Sequence, residues 1–146
     1  MAIKARVLCY PEFGKIRNLG ECVKKKLDDL YPEMTHGIDK IPPAYACDRE
    51  RLVFIGVKLG KDVPDDLRLF CAALDKSKAA NVALYTTGNQ EGITKLVNIL
   101  KEAGTKVLDD QLSVKDGFLF LNGVKPEEKA EIEGWAEKLY TAIDNE

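Results

Sequence analysis

What most constrains this chain is a repeated switch in the spacing of its apolar residues, from strand-length runs to helical periodicity and back. Val7-Leu8-Cys9, Leu52-Val53-Phe54-Ile55-Gly56 and Val82-Ala83-Leu84-Tyr85 are short, nearly continuous apolar runs. A strand that is apolar on both sides must be covered on both sides, as a central strand of a parallel sheet is. Between the runs, apolar residues recur every three or four positions. They are Leu19, Cys22, Val23, Leu27 and Leu30; Leu67, Phe70, Cys71 and Leu74; Ile93, Leu96, Val97 and Leu100; and Ile132, Trp135, Ala136, Leu139 and Ile143. Each set predicts a helix with one apolar face laid on the sheet. The punctuation agrees. Pro32 closes the first helix, Pro64 opens the second with Asp65 and Asp66 at the positive end of its dipole, Gly104 stops the third, and Pro126-Glu127-Glu128 starts the last.

Two weaker segments complete the pattern. Met34 to Ile38 predicts a marginal second strand, followed by a loop with Pro42-Pro43 that runs through Asp48 or holds a short helical turn. Thr105 to Leu108 begins a fifth strand, with Phe118-Leu119-Phe120-Leu121 as its continuation or partner. The order β-α-β-loop-β-α-β-α-β-α implies right-handed crossovers. It predicts an α/β three-layer sandwich with a five-stranded parallel sheet in the order 2-1-3-4-5 and helices on both faces. Ligands of such sheets gather outside the carboxyl ends of the strands, where the strand order reverses. The segments after the first, third and fourth strands are therefore the candidate site.

Composition narrows the partners. The 146 residues suit one domain, 1–146, with no linker or repeat, and a core that needs no disulfides. Twenty-two basic against 24 acidic side chains give a net charge of −2, with no basic excess for a nucleic-acid backbone. The longest run of like charge, Lys24-Lys25-Lys26, reads as a solvated helix face. No apolar stretch approaches the ~20 residues needed to cross a bilayer. Met1 to Arg6 lacks the apolar core of a signal peptide, so the expected location is cytoplasmic. Cys9, Cys22, Cys47 and Cys71 form no C-x-x-C pair. Cys9, Cys22 and Cys71 sit at apolar positions, where a reduced thiol is a small hydrophobe. His36 has no ligand partners nearby, and no nucleophile elbow, P-loop or G-x-G-x-x-G occurs. No catalytic or metal-ligating residue is assigned. Trp135 reads as helix-packing material.

The frame Arg6-Val7-Leu8-Cys9-Tyr10-x3-Gly14, the run Leu52 to Gly56 with Gly60 and Pro64 beyond it, and Val82 to Gly88 resemble successive landmarks of flavodoxins. The tail from Gly117 to Gly123, before a Pro-Glu-started helix, is similar to the end of a bacterial flavodoxin-domain subfamily. The resemblance spans nearly the whole chain and rests mainly on apolar and glycine positions. It implies a flavodoxin-like fold holding FMN across residues 10–18, 57–63 and 86–92. The implied contacts are Tyr10, Phe13, Gly14, Lys15, Ile16 and Arg17; then Lys58, Leu59 and Gly60; then Thr86, Thr87, Gly88 and Asn89. It also implies a redox partner protein or reductase, with the chain acting as an electron carrier or accessory protein.

Within that frame the residues depart from the family. The flavodoxin phosphate turn, of the kind T-x-T-G-N-T, wraps a phosphate with N–H groups and hydroxyls at a helix N-terminus. Here Gly14 keeps the turn, but the hydroxyls are gone, Glu12 repels a phosphate, and Pro11 lacks a donor. Lys15 and Arg17 either offset that loss or are surface cations. The second segment has no aromatic to stack on a flavin ring, leaving Leu59. Lys58 and Lys61 either place positive charge near a flavin or are solvated. In the third segment, Thr86-Thr87-Gly88-Asn89 offers hydrogen bonds to a ring edge, with Gly88 and Gly92 permitting close approach, or is an N-capped helix start. Two functions follow: an FMN-binding electron-transfer or accessory protein, and a flavin-free binding or regulatory module on the same fold. A small hydrolase on this sheet lacks a nucleophile–base pair.

Overall fold

A computed structural model describes residues 3–32, 37–115 and 123–146. Strand β1 (Ala5–Tyr10) leads into helix α1 (Gly14–Leu30), then β2 (Gly37–Lys40) and β3 (Leu52–Leu59). Helix α2 (Asp65–Ala72), β4 (Asn81–Gly88) and helix α3 (Gln90–Ala103) follow. Two short strands, β5 (Lys106–Val107) and β6 (Leu112–Ser113), and the long helix α4 (Pro126–Asp144) complete the chain. All described pairings are parallel, in the order β2-β1-β3-β4-β5, with β6 also on β4. That is the order the alternation predicts. β5 and β6 are two pieces of one edge, pairing with Asn81–Val82 and Tyr85–Thr86 respectively. Phe118 to Leu121, the expected continuation, lies outside the described residues.

Alternation along the central strands splits the core in two. Val7, Cys9, Phe54, Ala83 and Tyr85 face α1 and α4, while Leu8, Val53, Ile55, Val57, Val82 and Leu84 face α2 and α3. Side chains of successive strand residues point to opposite faces, so a run apolar at every position feeds both layers. Trp135 is buried on α4, with edge-to-face contacts to Phe54 and Tyr85, and its indole N–H donates to the Asp110 carbonyl at 2.9 Å. It is packing material, as its spacing predicts.

Tyr85 explains two glycines. Its ring lies so close over Gly56 of β3 that a Cβ there would fall 2.0 Å from it, and a Cβ on Gly20 of α1 would fall 2.7 Å from its hydroxyl. That hydroxyl donates to the Ile16 carbonyl at 3.0 Å and lies 3.3 Å from the Cys9 sulfur. The first turns of α1 are thus fixed to the sheet from below.

The passage from β2 to β3, residues 41–51, contains no helix. Ile41 and Cys47 are buried in the α2–α3 side core and fill that space instead. Asp39 accepts the Ala44 N–H at 2.8 Å, and the Arg6 guanidinium donates to the Tyr45 carbonyl at 2.6 Å, which pins the strap. Of the strand expected from Met34 to Ile38, Gly37 and Ile38 lie in β2, which runs on to Lys40, and residues 34–36 lie outside the described set. Among the described residues no helix is long and apolar enough to cross a membrane.

Candidate functional site

The carboxyl ends of β1, β3 and β4 bring the three predicted segments to one edge of the sheet. Pro11, Glu12 and Phe13 join β1 to α1, and the Tyr10–Pro11 peptide is cis. Gly14 has φ 71°, a left-handed conformation that favours glycine. Phe13 stands at the N-cap of α1, makes no capping bond, and is 71% exposed. No acidic residue occupies the first turn. Tyr10 is half-buried, and its hydroxyl donates to Asp66 Oδ1 at 2.8 Å, tying the end of β1 to the start of α2. Burial, then this bond, pushes the phenol up.

The structure commits the cations of this segment to other groups. Lys15 is buried, and its ammonium lies 2.6 Å from Glu128 Oε2 and 2.8 Å from the Lys115 carbonyl oxygen. Glu128 also accepts the Lys125 N–H at 3.0 Å at the start of α4. The Lys15 hydrogen bond is the chief reason its carboxyl is held below the usual glutamate range. Arg17 is half-buried and pairs with Glu21 one turn along α1, at 3.4 Å. Ile16 is buried in the core with its carbonyl under the Tyr85 hydroxyl.

In the second segment β3 runs further than its apolar run suggests, so Lys58 and Leu59 are strand residues. Lys58 is exposed, Leu59 is buried among the side chains facing α2 and α3, and Gly60 is exposed. In the third, β4 takes in Thr86, Thr87 and Gly88, and both threonines are buried. Asn89 alone separates β4 from α3. Its side chain accepts the Glu91 N–H at 2.8 Å and caps α3, while its own N–H donates to the Leu59 carbonyl at 2.8 Å.

The close approach that Gly88 and Gly92 permit is to the chain itself. A Cβ on Gly88, which has φ +111°, would fall 2.1 Å from the Leu59 oxygen, and one on Gly92 would fall 2.0 Å from the Gly60 oxygen. The ends of β3 and β4 are therefore in backbone contact. Asn89 caps the start of α3, as one of the readings open from sequence has it. Glu128, Asp66 and Tyr85 were absent from the sequence-level site. Their partners lie 113, 56 and 69 positions away, and no local pattern signals such pairs. Among the described residues no cluster of three His, Cys, Asp or Glu side chains is arranged to hold a metal.

No family model and no curated protein sequence matches this chain. Solved structures do. A short-chain flavodoxin associated with a PDU bacterial microcompartment superposes with a TM-score of 0.70 at 12% identity, covering 98% of this chain and 99% of that one. A Streptococcus pneumonia flavodoxin gives 0.69 at 14% identity, over 97% and 99%. The Flv1 flavodiiron core from Synechocystis gives 0.70 at 14% identity, over 99% of this chain and 36% of that one. The fold is flavodoxin-like.

Proposed function

We propose that this chain is an accessory protein to a redox enzyme, meeting a reductase or another redox partner protein through the edge formed by residues 10–18, 57–63 and 86–92. The observation that carries this is Phe13. A helix N-cap ordinarily holds Ser, Thr, Asp or Asn. Here it holds an aromatic that makes no capping bond and is 71% exposed, at the carboxyl end of β1. Exposed aromatics that fill a pocket on a partner carry much of the energy of protein contacts. The flavodoxin-like fold supports the redox setting, since it recurs both in whole flavodoxins and as part of a flavodiiron core.

The test is a photo-crosslinking amino acid at position 13 in living cells, with Leu69, 60% exposed on α2, as the control position. A reductase or other redox enzyme joined at 13 and not at 69 is the expected result. Identical adducts at both positions, or none at 13, would sink the reading.

A second reading, FMN-borne electron transfer, is favoured by one feature. The first turn of α1 begins at Gly14 with no side-chain cap and no acidic residue, the arrangement in which a helix N-terminus accepts a phosphate. In that reading the flavin supplies the redox chemistry and the protein supplies its placement.

A further inference from the structure

Between those two readings, we infer that this chain works without FMN, because the residues at the three segments do not fit it. FMN needs a cradle for a phosphate dianion and a slot for a planar ring. The phosphate end fails on its donor set. Pro11 has no N–H, Glu12 brings a carboxylate, and Phe13 has no hydroxyl to donate to a phosphate. The nearest buried cation, Lys15, already holds Glu128 at 2.6 Å and the Lys115 carbonyl at 2.8 Å. Turning it toward a phosphate would strand Glu128 without its cation, and Arg17 is engaged by Glu21. The anion that a phosphate would have supplied to Lys15 is supplied by α4.

The ring end fails on space. A flavin held between two segments needs about 7 Å between them, twice a van der Waals contact. The ends of β3 and β4 stay paired through the bond from the Asn89 N–H to the Leu59 carbonyl at 2.8 Å, and the first turn of α3 packs directly on Gly60. Gly88 and Gly92 sit against the Leu59 and Gly60 carbonyls with no room even for a methyl group. With only Asn89 between β4 and α3, no length of chain remains there to wrap a ring edge. Thr86 and Thr87 are buried in the strand, and the second segment has no aromatic.

This inference stands apart from the docking reading, which could fail at position 13 while the flavin result held. The experiment uses the full chain, purified and shown to melt cooperatively, titrated with FMN and in parallel with riboflavin. The expected result is no quenching of flavin fluorescence and no flavin co-eluting with protein at micromolar concentrations. The melting temperature should also stay within about 1 °C, where a ligand at 100 times its Kd raises it by several degrees. Retention of FMN alone would show that the first turn of α1 holds a phosphate after all. Retention of both flavins would show that the ring slot is open. Either outcome overturns the inference.

Discussion

Lys15 Nζ lies 2.6 Å from Glu128 Oε2, joining the first turn of α1 to the first turn of α4 across 113 positions of sequence. The lysine is 7% exposed, so the contact takes its charge out of water and depends on the carboxylate to offset that cost. Glu128→Gln keeps the shape and removes the charge. It is expected to destabilise the protein by about 1–3 kcal/mol, read as a lower denaturant midpoint at unchanged slope. The pH dependence has a fixed sign. The folded carboxyl titrates below its unfolded value, so its contribution is complete above the usual glutamate range and fades as pH falls through the lowered folded pKa. Wild type should therefore lose more stability than Glu128→Gln on acidification below about pH 4.5, and parallel losses would show that the pair contributes nothing.

Gly88 and Gly92 should resist substitution while Gly134 should welcome it. Alanine at 88 or 92 would press a methyl group onto a carbonyl oxygen, and 88 also has φ +111°. A loss of about 2–4 kcal/mol is expected at each. Gly134 lies exposed inside α4 with nothing near a Cβ, so Gly134→Ala should stabilise by about 0.5–1 kcal/mol. Thermal melts of the three variants rank them directly.

Phe13 separates stability from function. Phe13→Asp supplies the capping side chain that α1 lacks and a negative charge at its N-cap, and the first turn holds no acidic residue of its own. It should raise stability by about 1 kcal/mol. If Phe13 seats in a partner, the same variant should lose the complex. Better stability with undiminished partner binding would place the contact elsewhere.

Tyr85→Phe removes the hydroxyl that donates to the Ile16 carbonyl and leaves the ring over Gly56 in place. A loss of about 1 kcal/mol is expected, with local loosening of α1 near Ile16 visible as faster amide hydrogen exchange. Unchanged exchange there would show that the hydroxyl does not position the helix.

Thiol labelling should follow burial. Burial pushes the Cys9 thiol up to about 11 and the Cys71 thiol up to about 12, and raises Cys47 as well. Burial raises the Cys22 thiol too, but Cys22 is only half-buried on α1, so it alone should react with iodoacetamide near pH 7.5, and slowly, because the thiolate is the reactive form. Mass spectrometry should count one adduct in the native protein and four after denaturation.

The sequence by itself determined the architecture. Runs such as Leu52 to Gly56, apolar at every position, demand cover on both faces, and the helical spacing of Leu19 to Leu30 and Ile132 to Ile143 supplies it. Gly104, with φ +112°, ends α3 where the sequence marks the stop. These signals are local, so a reader of the chain sees them. The altered first turn was equally legible, because a missing hydroxyl or an intruding Glu12 is a matter of residue identity.

Tertiary structure decided what the surviving residues do. Lys15 looks the same in sequence whether it meets a phosphate or Glu128, since its choice depends on where α4 comes to rest. Gly88 and Gly92 look permissive toward a ligand, and only the packing of β4 on β3 shows that the neighbour they admit is the backbone of residues 59–60. Periodicity and composition act over a few residues. The pairing of a buried charge, and the occupant of a glycine's empty space, are set by contacts between segments far apart in the chain.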